Sequence, residues 1–328
     1  MPEQTTKIEE RRGEAEPRQG QLAYLSKSRL KKYTTCPEQF RYSYVEQLSE
    51  PETAAMRRGT EIHETIEEYY YNLTDHVRRT GKLPKFLVPL LPDVTQWSDH
   101  LHPYMTNFIS WEQERCRAVD DPFDVLPVGV EEEGWLEAPL GLDLPNGVSE
   151  VPWMGFADII LPSASVPSVG TNRGEVIIDI KTGKTPKEEC REEGIFLECE
   201  FYAALFENEY DITAVAGYYP KNDDLIVSRP DHRRRTFIED KATELQTIVA
   251  EQQDSFEIDE QPLCGWGEGS EEQCPFYEAC RSTWKEPAIN KERFVELVEN
   301  GASFSEIAEE LDMNDSDPIG YWKYKFDL

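Results

Sequence analysis

The order of elements legible in the sequence, helices then strands then helices, predicts an α/β or α+β domain with one sheet flanked by helices. Two observations carry this. Up to about residue 120 apolar residues recur at helical spacing, and from 125 onward they alternate or run together as strands do. The 328-residue chain is also 38% hydrophobic, which suits one large domain and a small extension.

Residues 1–20 are polar throughout and are expected to form a disordered tail rather than a signal peptide. "LSKSRLKKYTTCPEQFRYSYVEQL" (25–48) reads as a helix capped by Ser26 or Ser28, interrupted at Cys36-Pro37 and resumed through Phe40, Tyr44 and Leu48. A second helix is expected over 57–79, a proline-rich loop over 81–95 and a third helix within 98–119. Three strand-like stretches follow at 125–140, 151–162 and 175–183. The last two are joined by a loop (162–174) and so should pair as antiparallel neighbours. Next come a helix over about 188–208, a strand "ITAVAGYYP" (212–220), a charged segment with Arg233, Arg234 and Arg235, and a helix over about 238–254.

The last stretch reads differently. "KERFVELVENGASFSEIAEELDM" (291–313) has the form of a helix-turn-helix, or of a helical hairpin packed on the main domain. "IGYWKYKF" (319–326) fits an aromatic anchor or a core-completing strand. The expected organisation is a tail over 1–20, a main domain over 21–285 and a helical extension over 286–328.

Sixty-five acidic against 34 basic residues give a net charge of −31, which works against binding nucleic acid through charge alone. Acidic residues spread along the whole chain suit the cytoplasm of an extreme halophile, where salt screens self-repulsion; the competing explanation is a basic partner protein. No stretch approaches the roughly 20 apolar residues of a membrane span.

The stretch "EVIIDIKTGK" (175–184) is aliphatic yet carries Asp179 and Lys181 near its end. Side chains alternate along a strand, so both charges point to one face and Ile178 and Ile180 to the other. If the preceding strand pairs with it, Asp158 of "GFADIIL" reaches the same face. Two carboxylates and a lysine then converge, a group suited to a hard divalent cation, with the ammonium free to orient a water or offset charge on a phosphate. Glu131 to Glu133 read as a solvated charge run.

With these residues in place, the chain resembles the RecB-type branch of the PD-(D/E)xK nuclease superfamily, in particular the iron-sulfur exonucleases associated with CRISPR adaptation and the nuclease domain of AddB-type helicase-nucleases. The likeness runs from about Leu25 to Cys280 and rests on five motifs in order. They are the cysteine-bearing opening helix, G-x-x-x-H through Gly59 and His63, G-x-x-D through Gly155 and Asp158, D-x-K-T-G from Asp179 to Gly183, and the Q-x-x-x-Y helix in "LECEFYAAL" (197–205). In the last motif Tyr202 matches, while Glu198 stands where glutamine is usual.

The resemblance implies a restriction-endonuclease-like mixed sheet. It also implies a metal, Mn2+ or Mg2+, bound by His63, Asp158, Asp179 and the carbonyl of Ile180. Lys181 would be the catalytic lysine, and Tyr202 would lie near the substrate phosphate. The family often carries a glutamate near 131–133. Glu198 and the arginines 233–235 are candidates for substrate contact, the arginines alternatively a surface charge run.

Seven cysteines in a cytoplasmic protein are not expected to form disulfides. By resemblance, Cys36, Cys264, Cys274 and Cys280 hold a 4Fe-4S cluster that joins the two ends of the domain. Four thiolates also suit Zn2+. The interval from Cys264 to Cys274 is longer than in the family, which makes Cys199 the alternative fourth ligand; Cys116 and Cys190 read as packing residues.

The resulting expectation is a metal-dependent deoxyribonuclease, an exonuclease on single-stranded DNA ends, in repair, recombination or CRISPR adaptation, with a protein partner in such a complex. The alternative is a non-catalytic DNA-binding accessory protein that uses the nuclease fold and its C-terminal helices.

Overall fold

In the computed structural model five strands form one sheet in the order β1-β2-β3-β4-β5. They are β1 (Gly129–Leu136), β2 (Trp153–Pro162), β3 (Glu175–Ile180), β4 (Ile212–Tyr219) and β5 (Asp224–Ser228). β1 pairs antiparallel with β2, β2 with β3 and β4 with β5, whereas β3 and β4 run parallel, so the sheet is mixed. The structure describes residues 24–45, 48, 53–92, 100–137, 140, 151–171, 173–250, 274–276, 280 and 291–311. The expected tail, Cys264 and the closing aromatic stretch lie outside them.

The chain divides into two units, Met1–Lys31 with Ala54–Gln253, and Lys32–Thr53 with Asp254–Leu328. In the first, α3 (Ala54–Thr80) and α4 (His102–Ala118) cover one face of the sheet. On α3 the buried residues Ile62, Ile66, Tyr69, Tyr70, Leu73 and Val77 recur three or four apart, the stripe a helix needs to bury one side. They share a core with Tyr104 and Phe108 of α4, Ile159 and Leu161 of β2, and Ile178 and Ile180 of β3. Trp111 stacks on Tyr218 of β4 with ring centroids 4.5 Å apart.

Inside this core lies a charged pair without solvent access: Glu112 and Arg115, both 0% exposed. Arg115 donates to Glu112 (2.5 Å), to the Val125 carbonyl (2.7 Å) and to Ser165 (2.8 Å). Tyr69 and Tyr70 donate their hydroxyls to the same carboxylate (3.1 and 2.7 Å). Burying a charge is costly unless it is paired and its remaining hydrogen-bonding groups are used, and this network supplies partners to both Arg115 Nη atoms and to the carboxylate, leaving the Arg115 Nε without one among the described residues.

The opposite face carries α5 (Ile195–Phe206), the crossover that parallel strands require between β3 and β4. Its residues are buried on nearly every side, which explains an apolar run with little helical periodicity. Close approach to the sheet depends on two glycines. A Cβ on Gly155 would come within 3.0 Å of Tyr202, and one on Gly217 within 2.4 Å of Ile195. α6 (His232–Ala250) packs on α5, with Arg234 tying them through Glu200 (3.1 Å).

The second unit contains the end of α1 (Lys27–Thr35), α2 (Pro37–Phe40) with the following π-turn Arg41–Val45, and the helices α7 (Lys291–Glu299) and α8 (Phe304–Glu310). Phe294 and Ile307 are fully buried, Gly301 makes the turn at φ +75°, and Ser303 with Glu306 forms a capping box at the start of α8.

Three readings of the sequence change. The charged segment after β4 contains the edge strand β5, its hairpin turned through Asp223 at φ +57°. The helix expected from 238 starts at His232, because the Asp231 carboxylate accepts the Arg233 N–H (2.7 Å) and satisfies its first turn. The helix expected from 188 begins as a 3-10 turn (Glu188–Cys190) and becomes α-helical at Ile195. No described helix is long and apolar enough to cross a membrane.

Candidate active site

Two adjoining groups of side chains gather where β1, β2 and β3 meet α1, α3 and α5. The first is His63, Glu131 and Asp158, which each offer a ligand atom within 4.8 Å of the others. Asp158 lies on β2, and its Oδ2 accepts the backbone N–H of Ile180 (2.6 Å), which locks it against β3. His63 Nδ1 approaches Oδ1 of the same carboxylate at 3.5 Å. Glu131 falls opposite Asp158, between the pairs Val130–Ile159 and Glu132–Ala157. Its backbone is left-handed, φ +46°, a strained conformation for a residue other than glycine.

The reading of Glu131 to Glu133 as a solvated charge run therefore fails at Glu131. Burial first, and the neighbouring Asp158 second, push its carboxyl up to about 7. Burial alone would lower the His63 pKa, but the hydrogen bond and charge of Asp158 raise it overall.

One imidazole and two crowded carboxylates form a donor set that fits a divalent ion such as Mn2+ or Mg2+, whose charge relieves their repulsion. Binding requires Glu131 and His63 to release their protons. Mn2+ affinity measured by calorimetry should therefore rise with pH, steepest near the Glu131 value of about 7. Equal affinity across the range from about pH 6 to 8 would contradict this assignment of ligands.

The second group alternates acids and bases. Asp179, 1% exposed, has Lys27 Nζ 3.0 Å from Oδ1 and Lys181 Nζ 2.6 Å from Oδ2. Both lysines also approach Glu198 of α5, Lys181 at 2.8 Å and Lys27 at 3.6 Å, and Lys31 approaches it at 2.6 Å. Burial would raise the Asp179 carboxyl, but the two ammonium groups hold it down at about 2. Burial would likewise lower both lysines, yet the carboxylates raise them, so both ammonium groups stay charged.

Local sequence explains the positions. Asp179, paired with Gly217, looks toward α5, where Glu198 and Tyr202 stand one helical turn apart, and Asp158 directly precedes Ile159, which pairs with Ile178 of β3. Leu25 bridges to Trp153, with Leu25 N–H donating to the Pro152 carbonyl (2.8 Å) and Met154 N–H to the Leu25 carbonyl (2.8 Å). That bridge fixes the start of α1, which Ser26 caps by accepting the Arg29 N–H (3.3 Å). Lys27 is thereby carried over the Tyr202 ring, 4.9 Å from its centroid.

Of the residues singled out in the sequence, the structure brings together His63, Asp158, Asp179, Ile180, Lys181, Glu198 and Tyr202. Glu131, where the resemblance allowed a glutamate but the residues alone read as a charge run, joins them, and so does Lys27, which the sequence did not single out. A signal for Glu131 is its register opposite Asp158; for Lys27 it is the first turn of a helix capped beside a strand bridge. Arg234 is buried, bonded to Glu200, Glu192 and the Arg229 carbonyl, and Arg235 pairs with Glu239 at 2.7 Å, whereas the side chain of Arg233 is exposed.

Cys36 is buried at the N-cap of α2 in the second unit, which also holds Cys274 and Cys280; there the Tyr42 and Phe276 rings lie 5.6 Å apart. Cys199 is buried in the first unit, its thiol donating to the Ala216 carbonyl (3.4 Å).

The profile of the PD-(D/E)XK nuclease superfamily matches residues 24–281. No curated protein matches the chain.

Proposed function

The chain belongs to the PD-(D/E)XK nuclease superfamily, and we propose that it is a metal-dependent exonuclease acting on single-stranded DNA ends and carrying a 4Fe-4S cluster. The observation that carries the reading is the adjacency of the His63–Glu131–Asp158 group to a charged lysine, Lys181, presented beside Asp179. A divalent ion held by His63, Glu131 and Asp158, with Asp179 and the Ile180 carbonyl as further ligands by resemblance, would polarise the phosphate and acidify the attacking water.

The chain's own groups do the rest. Lys181 keeps its proton, so it can donate to a phosphate oxygen and steady the charge that grows there. Asp179 and Glu198 fix the ammonium from two sides. Hydrolysis places the hydroxyl of water on phosphorus and the proton on the departing sugar oxygen, leaving a phosphate end and a hydroxyl end. Preference for single-stranded ends, and a place in repair, recombination or CRISPR adaptation with a protein partner, are assigned by resemblance. Arg233, exposed at the start of α6, is the member of its arginine run suited to a phosphate contact.

The cluster reading rests on Cys36, Cys274 and Cys280 belonging to one unit, with Cys264 proposed as fourth ligand. One preparation tests both readings. End-labelled single- and double-stranded DNA should be shortened with Mn2+ or Mg2+ at high salt and untouched in EDTA. The protein should be brown, contain iron and acid-labile sulfide, and lose its colour as Cys274→Ser. Intact DNA under every condition leaves the accessory role instead, and a colourless protein containing zinc replaces the cluster.

A further inference from the structure

We infer that Lys27 is a positioning residue of this site, sharing Asp179 and Glu198 with Lys181 and so fixing where the Lys181 ammonium stands, and that it weakens metal binding by its charge. The inference rests on the nuclease reading for its kinetic part only. Three observations support it.

First, the anchoring is built. The bridge from Leu25 to Trp153 and the Ser26 cap fix the first turn of α1, and Arg29 lies 3.8 Å over the Tyr24 ring while donating to the Tyr24 carbonyl (2.6 Å). A long flexible lysine is thus delivered to one place, which lowers the entropy cost of holding it there.

Second, the two lysines divide the Asp179 carboxylate. Lys27 takes Oδ1 and Lys181 takes Oδ2, and both reach Oε2 of Glu198. Without Lys27 the vacated Oδ1 would compete for Lys181, which already bridges the two carboxylates, and shift its ammonium from its present place. A displacement of about 1 Å in a catalytic group is enough to cost up to about a hundredfold in rate.

Third, Lys27 is the less exposed of the two. Its side chain is 19% exposed against 25% for Lys181, and it lies over the buried Tyr202 ring. Lys27 therefore acts through Asp179 and Glu198, the carboxylates it shares with Lys181. A fixed positive charge beside Asp179 also opposes a second cation brought to the same group of carboxylates.

The test compares Lys27→Met and Lys27→Arg with the wild type. Three readouts are needed: Mn2+ titration calorimetry without DNA, single-turnover cleavage with saturating Mn2+, and the thermal midpoint. Lys27→Met should bind Mn2+ roughly threefold or more tightly, because the opposing charge is gone. It should nevertheless cleave about 10- to 100-fold more slowly, with its midpoint little changed. Lys27→Arg should restore the wild-type affinity and part of the rate.

Tighter metal binding with slower cleavage is an outcome a merely structural lysine would not produce. Unchanged Mn2+ affinity in Lys27→Met, or a rate loss that only tracks a lowered midpoint, overturns the inference. A wild type that binds Mn2+ but cuts no DNA defeats the nuclease reading and the kinetic part, while the calorimetry still decides the effect on the metal. A wild type that binds no Mn2+ overturns both.

Discussion

Replacing Lys181 by alanine is expected to slow metal-dependent cleavage about 10²- to 10³-fold, the usual cost of removing one preorganised group that stabilises transition-state charge. The fold should hardly respond. Asp179 keeps Lys27, and Glu198 keeps Lys27 and Lys31, so no buried carboxylate is left without a cation. The expected signature is a large loss in single-turnover rate on end-labelled DNA with an unchanged thermal midpoint. Cleavage undiminished in Lys181→Ala would remove this residue from the reaction.

The largest stability effect should come from the core pair beneath α3 and α4. Arg115→Met leaves the Glu112 carboxylate buried with only two tyrosine hydroxyls for partners, and frees the Val125 carbonyl and Ser165 of their donor. Breaking a buried ion pair by removing one partner costs about 3–5 kcal/mol, so the denaturant midpoint should fall sharply. The double variant Glu112→Leu with Arg115→Met removes both charges and should recover part of that loss. If the single variant is as stable as the wild type, the pair does not carry the role given to it.

Much of the architecture was legible because local rules and the global fold agree. The loop 162–174 joining two strand-like stretches foretold the β2–β3 pairing, and that pairing brings Asp158 toward Asp179. The apolar stripe of α3 was readable from Ile62 to Val77 for the same reason. What stayed hidden depends on relations that a linear reading does not contain. Glu131 looks like its neighbours Glu132 and Glu133 until the β1–β2 register sets it opposite Asp158. Lys27 looks like part of a basic helix face until Leu25 is seen to bridge to Trp153. The edge strand β5 is short and lies among charges, so its pairing with β4 outweighs its composition.

The distance along the chain between the groups that meet at the site has its own consequence. Lys27 bonds Asp179 across 152 residues, and Lys31 bonds Glu198 across 167. Contacts so remote in sequence form late, after the loop entropy between them has been overcome. The β2–β3 hairpin can set Asp158 near Asp179 on its own, but Lys27 and Glu198 join the group only when both ends of the first unit are present, so the full set of acids and bases requires the whole unit. Activity is then a report that the whole sheet and both of its helical layers have assembled.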